Sequence, residues 1–119
     1  MVSYVKNPTP NEVKTRILEA LAAIKDLGKF KKGVNEVTKS IEKKTAQLVI
    51  IAEDVQPEEV VMHLPILCEE KDIPYAFVTS KKELGSAIGL IVPTSSVAIE
   101  DAGGVKETIY DIIKRLPKK

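Results

Sequence analysis

The sequence is poor in the residues that thiol chemistry and metal centres require. Cys68 is the only cysteine and His63 the only histidine, so no intrachain disulfide can form and a typical zinc site would need carboxylates. A single cysteine fits a reducing compartment, and we expect a cytoplasmic protein. The longest apolar runs, Leu48–Ala52 and Leu90–Val92, are far too short to cross a bilayer, so we expect no membrane partner. The first ten residues contain no apolar stretch typical of a signal peptide.

The spacing of the lone histidine and cysteine disfavours a catalytic pair. His63 and Cys68 lie five residues apart, which on a helix separates them by about 140° around the axis. Pro65 is also predicted to break the helix between them. We therefore interpret Cys68 as a small apolar residue of the core. Gly85 and Gly89 are too sparse for a phosphate-binding loop, and we expect no cofactor.

The charge of the chain is small but unevenly distributed. The 119 residues are enough for a single domain, 1–119, with a net charge of +1. Residues 29–44 contain six lysines and two glutamates, a net charge of +4, whereas residues 53–72 have a net charge of −6. A basic segment beside an acidic one is typical of a protein that meets a polyanion on one face. Ordinary solvated helices would give the same pattern, so charge alone leaves both interpretations open.

Apolar periodicity predicts strands that alternate with helices, and hence a central sheet with helices on both faces. Thr9 is interpreted as the cap of the first helix, with Pro10 at its first position, Glu12 completing a capping box and Gly28 at its end. The predicted strands are 29–31, 47–52, 75–78 and 97–100. A second helix is predicted from Asn35 to about Lys43, and a third from Pro57 to about Glu70 with an interruption near Pro65. The last two predicted helices run from a capping box at Ser80 to Gly89 and over 105–116.

The junction of the first strand and the second helix combines a glycine with amide, acidic and basic side chains. Gly33 allows a tight turn after Lys32, and free N–H groups at a helix start attract phosphate. Asn35, Glu36 and Lys39 then place an amide, a carboxylate and an ammonium group side by side. Guanine offers O6 to an amide or ammonium donor, and its amino group suits a carboxylate acceptor. The alternative is that Asn35 is only a helix cap and Glu36 only a favourable first-turn charge.

The segment Gly89–Ser96 is a second unusual feature. Its glycine, proline and serines predict a loop, yet its centre is Leu90-Ile91-Val92, followed by Pro93. Apolar residues exposed in a loop need a reason, and a binding surface is one such reason. The alternative is that these side chains fold back onto the core.

Three blocks of the sequence form a distinctive set: Lys31-Lys32-Gly33-Val34-Asn35-Glu36-Val37-Thr38-Lys39, Leu48-Val49-Ile50-Ile51-Ala52-Glu53-Asp54-Val55 and Ser80-Lys81-Lys82-Glu83-Leu84-Gly85. Together these blocks resemble the signature of the kink-turn-binding ribosomal protein family. The match covers nearly all of residues 29–100, and its acidic 52–54 segment is most similar to archaeal members. The family includes a large-subunit ribosomal protein that is also the core protein of box C/D RNA-guided methylation particles.

The resemblance implies a fold and an RNA ligand. The fold is a three-layer α-β-α sandwich with a central mixed four-stranded sheet, without enzymatic activity. The ligand is an RNA that bends at a three-nucleotide bulge flanked by sheared G·A pairs. Carried over residue by residue, the resemblance implies that Asn35, Glu36 and Lys39 contact the guanines, and that Lys32 and Gly33 meet the RNA backbone.

The resemblance also implies a pocket for the nucleotide that flips out of the bulge. Gln56, Val60 and Lys81 would line this pocket. Leu90, Ile91, Val92 and Pro93 would form the loop that closes over the bulge, which would explain the apolar centre of that loop.

The partners implied by the resemblance are RNAs and one protein. The RNAs are ribosomal RNA, box C/D guide RNA, box H/ACA guide RNA and, through tRNA processing, ribonuclease P RNA. The protein is the scaffold of the fibrillarin methylation complex, and the chain is expected to be monomeric when free.

One arrangement favours a different class of protein. Asp54 follows a buried strand and Lys81 follows the next strand, as in the phospho-accepting site of a receiver domain, at the carboxyl ends of its strands. Such a domain also needs an acidic pair after an earlier strand to hold magnesium, and Lys32-Gly33 stands there instead. A receiver-like or small-ligand-binding α/β domain without an RNA role is therefore the second hypothesis.

Overall fold

The computed structural model describes residues 4–5 and 8–116, so both ends of the predicted domain 1–119 lie partly outside the described residues. No helix in this part of the chain is long and apolar enough to span a bilayer. The elements are α1 (Asn11–Leu27), β1 (Lys29–Lys32), α2 (Val34–Glu42), β2 (Leu48–Ala52), α3 (His63–Glu70), β3 (Tyr75–Val78), α4 (Lys81–Ala87), β4 (Ser96–Asp101) and α5 (Lys106–Arg115), with short 3-10 helices at Glu58–Val60 and Gly103–Val105.

The four strands form one mixed sheet, as the resemblance implied. Their order is β1-β4-β2-β3, so the last strand in sequence lies inside the sheet. β4 runs antiparallel to both of its neighbours, whereas β2 and β3 are parallel. All five residues of β2 are buried, because this strand is flanked by two strands and covered on both faces, and its β-branched composition indicated such a place.

Helices cover both faces of the sheet and complete the three-layer α-β-α sandwich. α1 packs against α4 and α5, while α2 packs against α3 and β4. The buried residues of α1 recur at the predicted helical spacing: Val13, Ile17, Ala20, Leu21 and Ile24. The predicted end of α1 at Gly28 and the cap of α4 at Ser80 are also confirmed, since Ser80 Oγ accepts a hydrogen bond of 3.1 Å from the Glu83 N–H.

The predicted role of Thr9 as a helix cap is wrong. α1 begins at Asn11 after Pro10, and no side chain caps it. The Thr9 hydroxyl is buried and instead accepts a hydrogen bond of 2.8 Å from the Phe77 N–H on β3. Because β3 is an edge strand, this N–H has no strand beside it to accept its hydrogen bond, and a buried donor without an acceptor is costly. The Thr9 hydroxyl is therefore used to pair an N–H of the edge strand β3 and not to cap α1.

The predicted interruption near Pro65 is also misplaced. α3 begins at His63 and runs through Pro65 to Glu70, because a proline in the first turn lacks only an N–H that the helix would leave unpaired. The break lies earlier, between the 3-10 helix that ends at Val60 and His63. His63 and Cys68 thus share one helix, but they face different surroundings. His63 Nε2 lies 2.9 Å from Thr38 Oγ1, whereas Cys68 is fully buried.

Thr9→Val is expected to destabilise the protein without changing its volume. The substitution removes the acceptor of the Phe77 N–H, and a buried donor left unpaired costs about 1–3 kcal/mol. Urea denaturation would measure the free energy of unfolding. Thr15→Val is the matched control, because the Thr15 hydroxyl donates to the Asn11 carbonyl on an exposed helix face. Equal losses in the two variants would contradict the role assigned to Thr9.

Candidate nucleic-acid interface

The topology brings four chain segments to one edge of the sheet. β1, β2 and β3 end at this edge, and β4, which runs in the opposite direction, begins there. The strand register fixes this arrangement through the pairs Lys32 with Val97, Ile51 with Ser96, and Ala52 with Val78. We call this side of the molecule the site edge; it comprises the segments that follow β1, β2 and β3 and the loop that precedes β4.

The structure assigns the sequence-predicted residues to these segments. Lys32 ends β1, Gly33 follows it, and Asn35 and Glu36 lie in the first turn of α2, with Lys39 one turn further along. The remaining residues are Gln56 and Val60 after β2, Lys81 at the start of α4 after β3, and Leu90, Ile91, Val92 and Pro93 in the loop before β4.

The start of α2 is built on the backbone of Gly33. This glycine has φ of +86°, a conformation that residues with a side chain rarely adopt. Its N–H donates to the Ser96 carbonyl at 3.0 Å, and its carbonyl accepts from the Val37 N–H at 2.9 Å. α2 begins at Val34 with no side-chain cap. The alternative in which Asn35 serves as the helix cap is therefore wrong.

The side chains of Asn35, Glu36 and Lys39 are exposed and available to a ligand. Within the described residues, no side-chain hydrogen bond or ion pair engages any of the three. Lys32 is also exposed. The partial positive charge of the α2 start adds to that of the lysines, so this part of the site edge offers an anion-attracting surface that contains one carboxylate.

The segment after β2 is held in place by Tyr4. The buried Tyr4 hydroxyl donates to the Ala52 carbonyl at 2.7 Å and accepts from the Val55 N–H at 3.2 Å. Burial raises the pKa of Tyr4, so this hydroxyl remains protonated and able to donate. Lys14 Nζ pairs with Glu53 Oε2 at 2.8 Å on the same segment. These contacts fix the backbone that leads to the exposed Gln56. Sequence reasoning missed Tyr4, since its partners are about fifty residues away and no local motif marks it.

Asp54 and Lys81, the pair that suggested a receiver domain, form a structural contact. The Lys81 N–H donates to Asp54 Oδ1 at 2.8 Å, and the Lys81 carbonyl accepts from the Thr94 N–H at 3.1 Å. The backbone of Lys81 thus joins the segment after β2 to the loop before β4. In the described part of the chain, no group of three or more His, Cys, Asp or Glu side chains is placed to hold a metal ion.

The loop before β4 presents its apolar centre to solvent. Ile91 is fully exposed and Val92 is 58% exposed, so the alternative in which they fold onto the core is wrong for these two residues. It holds for Leu90, which is half-buried and packs against the core. Val60, on the neighbouring segment after β2, is 41% exposed. Unlike scattered surface residues, these apolar side chains belong to segments that meet at one edge of the sheet.

A glycine in α4 sets the position of this loop. A Cβ atom at Gly85 would lie 2.3 Å from the Val92 carbonyl oxygen and 3.3 Å from the Pro93 Cα. The Leu90 N–H donates to the Gly85 carbonyl at 2.9 Å. The loop backbone therefore rests directly on the helix, at a distance that only glycine permits.

Comparison with known proteins identifies the family. Residues 15–109 match the model of the Ribosomal protein L7Ae/L30e/S12e/Gadd45 family. The solved structure of the Giardia lamblia 15.5kD RNA binding protein is similar with a TM-score of 0.92 and 32% sequence identity, over 98% of this chain and 97% of that chain. The chain therefore belongs to the L7Ae/L30e/S12e/Gadd45 family, as its sequence blocks indicated.

Gly85→Ala is expected to destabilise the protein, although alanine is the better helix former. In an open helix the change would stabilise by about 1 kcal/mol, but here the added carbon overlaps the Val92 carbonyl, and overpacking costs about 1–3 kcal/mol. Hydrogen exchange should also become faster at Leu90 and Thr94, whose N–H groups hold the loop. Gly104→Ala is the control, because its Cβ would meet no atom within 4 Å. A Gly85→Ala variant more stable than the parent would refute the close contact.

Proposed function

We propose that the protein binds and stabilises kink-turn RNA and catalyses no reaction. The observation that carries the proposal is the amide, carboxylate and ammonium set of Asn35, Glu36 and Lys39 in the first half of α2, whose side chains are exposed and have no partner among the described residues. The RNA-binding name of the similar Giardia lamblia protein supports the same conclusion. The receiver-like hypothesis is less favoured, because Asp54 Oδ1 is engaged by the Lys81 backbone.

The three side chains suit the guanines of sheared G·A pairs. Asn35 and Lys39 are donors for guanine O6 and N7, and Glu36 is an acceptor for the guanine amino group. A carboxylate among lysines weakens general attraction to phosphate, so its presence favours recognition of bases over recognition of the backbone alone. Lys32 and Gly33 would then meet the RNA backbone, where the N–H groups that follow Gly33 at the helix start attract a phosphate.

The remainder of the site edge suits the bulged nucleotides. Gln56, Val60 and Lys81 would form the pocket for the flipped-out nucleotide, with an amide, an apolar side chain and a cation. The loop Leu90–Pro93 would cover the bulge, since Ile91 and Val92 already present apolar surface to solvent. Unstacked bases are bound by apolar and aromatic contacts that tolerate different sequences.

Binding of this kind acts by shifting a conformational equilibrium. A protein that binds the bent RNA more tightly than the extended RNA makes the bent form dominant. The RNAs proposed are ribosomal RNA, box C/D and box H/ACA guide RNAs, and ribonuclease P RNA. The bent complex would be the platform for the scaffold protein of the fibrillarin methylation complex. The whole chain, 1–119, would act in the cytoplasm as one domain, monomeric when free.

Asn35→Ala and Glu36→Ala are each expected to weaken binding to kink-turn RNA by about 1–3 kcal/mol, the value of a good base-edge contact. Because neither side chain has a partner in the described part of the chain, the free energy of unfolding should change by less than about 0.5 kcal/mol. Titration by calorimetry or gel shift would measure affinity for a kink-turn RNA and for the same RNA with its G·A pairs replaced by Watson–Crick pairs.

The control for this series is Glu42→Ala, at the exposed end of α2. It should leave affinity for both RNAs near that of the parent. Base reading would be disproved if both site variants bound the kink-turn as tightly as the parent. The RNA proposal itself would fail if the parent did not distinguish the two RNAs.

A variant with Ile91→Ser and Val92→Arg is expected to discriminate between two kinds of RNA. Affinity for a kink-turn with two flanking stems should change little, because contacts with both stems remain and arginine can pair with phosphate. Affinity for an RNA in which a terminal loop replaces one stem should fall by about 1 kcal/mol more, since apolar contact is a larger share of the total there. Ile66→Ser, exposed on α3, is the control. Equal losses on both RNAs would exclude a role of the loop in choosing between them.

A further inference from the structure

A cavity of about 230 Å³ lies beside the base-reading set. It is lined by Lys31, Glu36, Lys39, Ser40, Lys43 and Glu100. Glu36, Lys39 and Ser40 lie on α2, three and four positions apart, and Lys43 follows the end of this helix. Lys31 comes from β1 and Glu100 from β4. Because Glu36 and Lys39 belong both to this cavity and to the proposed guanine contacts, the two sites are continuous.

The carboxylate of Glu100 is fixed by hydroxyl groups from one side. Ser40 Oγ donates to it at 2.7 Å and Thr45 Oγ1 at 2.8 Å, and both hydrogen bonds end on Oε2. Burial acts to raise the pKa of Glu100, but the two hydroxyl hydrogen bonds and the nearby ammonium groups of Lys31 and Lys43 outweigh burial and lower the pKa. The group therefore remains ionised, and Oε1, which has no partner within residues 4–5 and 8–116, can accept from a ligand or solvent.

The lysines of the cavity are not engaged by acidic partners. None of the ion pairs within 4.0 Å that the described residues form includes Lys31, Lys39 or Lys43. Lys14, by contrast, is neutralised by Glu53 at 2.8 Å. The cavity thus offers ammonium donors around one fixed carboxylate acceptor. An anion alone fits this arrangement poorly, because the carboxylate would repel it.

We infer that this cavity holds one ribose–phosphate unit of the bound RNA. Lys31 and Lys43 contact the phosphate, and Glu100 Oε1 accepts a hydrogen bond from the neighbouring ribose 2′-hydroxyl. The 2′-hydroxyl is the one donor that an RNA backbone carries, and DNA lacks it. The cavity would therefore add a test for ribose to the recognition of the guanines. This inference rests on the proposed RNA-binding function.

The lysine arm of the experiment measures the salt dependence of binding to kink-turn RNA. Lys31→Ala and Lys43→Ala should each weaken binding and flatten the plot of log K against log salt by about 0.7–0.9, the contribution of one phosphate contact. Lys29→Ala is the matched control, on the same strand as Lys31 but outside the cavity. Slopes for both cavity variants equal to that of the Lys29→Ala variant would overturn the phosphate assignment.

The glutamate arm uses RNAs with a single 2′-deoxy substitution, moved one position at a time along both strands. One position is expected to weaken binding of the parent by about 2- to 10-fold, the value of a single hydrogen bond, and to have no effect on the Glu100→Gln variant. Glutamine keeps an acceptor for Ser40 and Thr45 but replaces the Oε1 acceptor with a donor, and thermal melting would verify that the variant is folded. If no position lost its effect in Glu100→Gln, the ribose contact would be excluded.

The two proposals fail in different ways. If the parent bound the RNA with and without its G·A pairs equally, the proposed function would be wrong. If the parent distinguished these RNAs while the lysine and Glu100 variants matched Lys29→Ala in every titration, only the cavity assignment would be wrong.

Discussion

The position of β4 between β1 and β2, antiparallel to both, determines where the candidate site lies. Two hydrogen bonds continue its pairing to the very edge of the sheet: the Gly33 N–H donates to the Ser96 carbonyl, and the Ala52 N–H donates to the Ser95 carbonyl, each at 3.0 Å. The start of α2 is thus tied to Ser96 and the end of β2 to the adjacent Ser95. A chain in which β4 ran parallel to β2 would send its preceding loop to the opposite edge, away from Asn35 and Gln56.

β2, β3 and the start of α4 were predictable because their local sequence patterns favour the same structure as their packing in the fold. β2 and β3 are apolar runs that lie inside or against the core, and the Ser80 capping box has its usual partner three residues later. The prediction that Thr9 caps α1 failed because its hydroxyl accepts from an edge-strand N–H 68 residues away. The interpretation of Asn35 as a helix cap failed because α2 begins after Gly33, whose positive φ the composition does not reveal. In both cases a residue with a strong local preference is used elsewhere.

The site residues divide in the same way. Their types and spacing could be read from the sequence, but their solvent exposure could not. Nothing in the sequence separates the exposed Ile91 from the half-buried Leu90 beside it. The contribution of Tyr4 was invisible for a different reason, because it acts across the fold on the backbone of Ala52 and Val55. Glu36 and Glu100 are acidic residues among lysines. Such residues reduce the general affinity for polyanions but increase discrimination among them.

The two outer strands of the sheet also bear on the solubility of the protein. β1 carries three lysines in four residues, and on β3 the Phe77 N–H is already occupied by Thr9. Charged side chains and covered donors are the means by which natural sheets resist the addition of a further strand from another molecule. Lys32, proposed to contact the RNA backbone, would then have a second role in the free protein, where its charge on the edge strand β1 opposes self-association. Apolar replacements in β1 would expose the chain to aggregation even at positions where RNA affinity hardly changed.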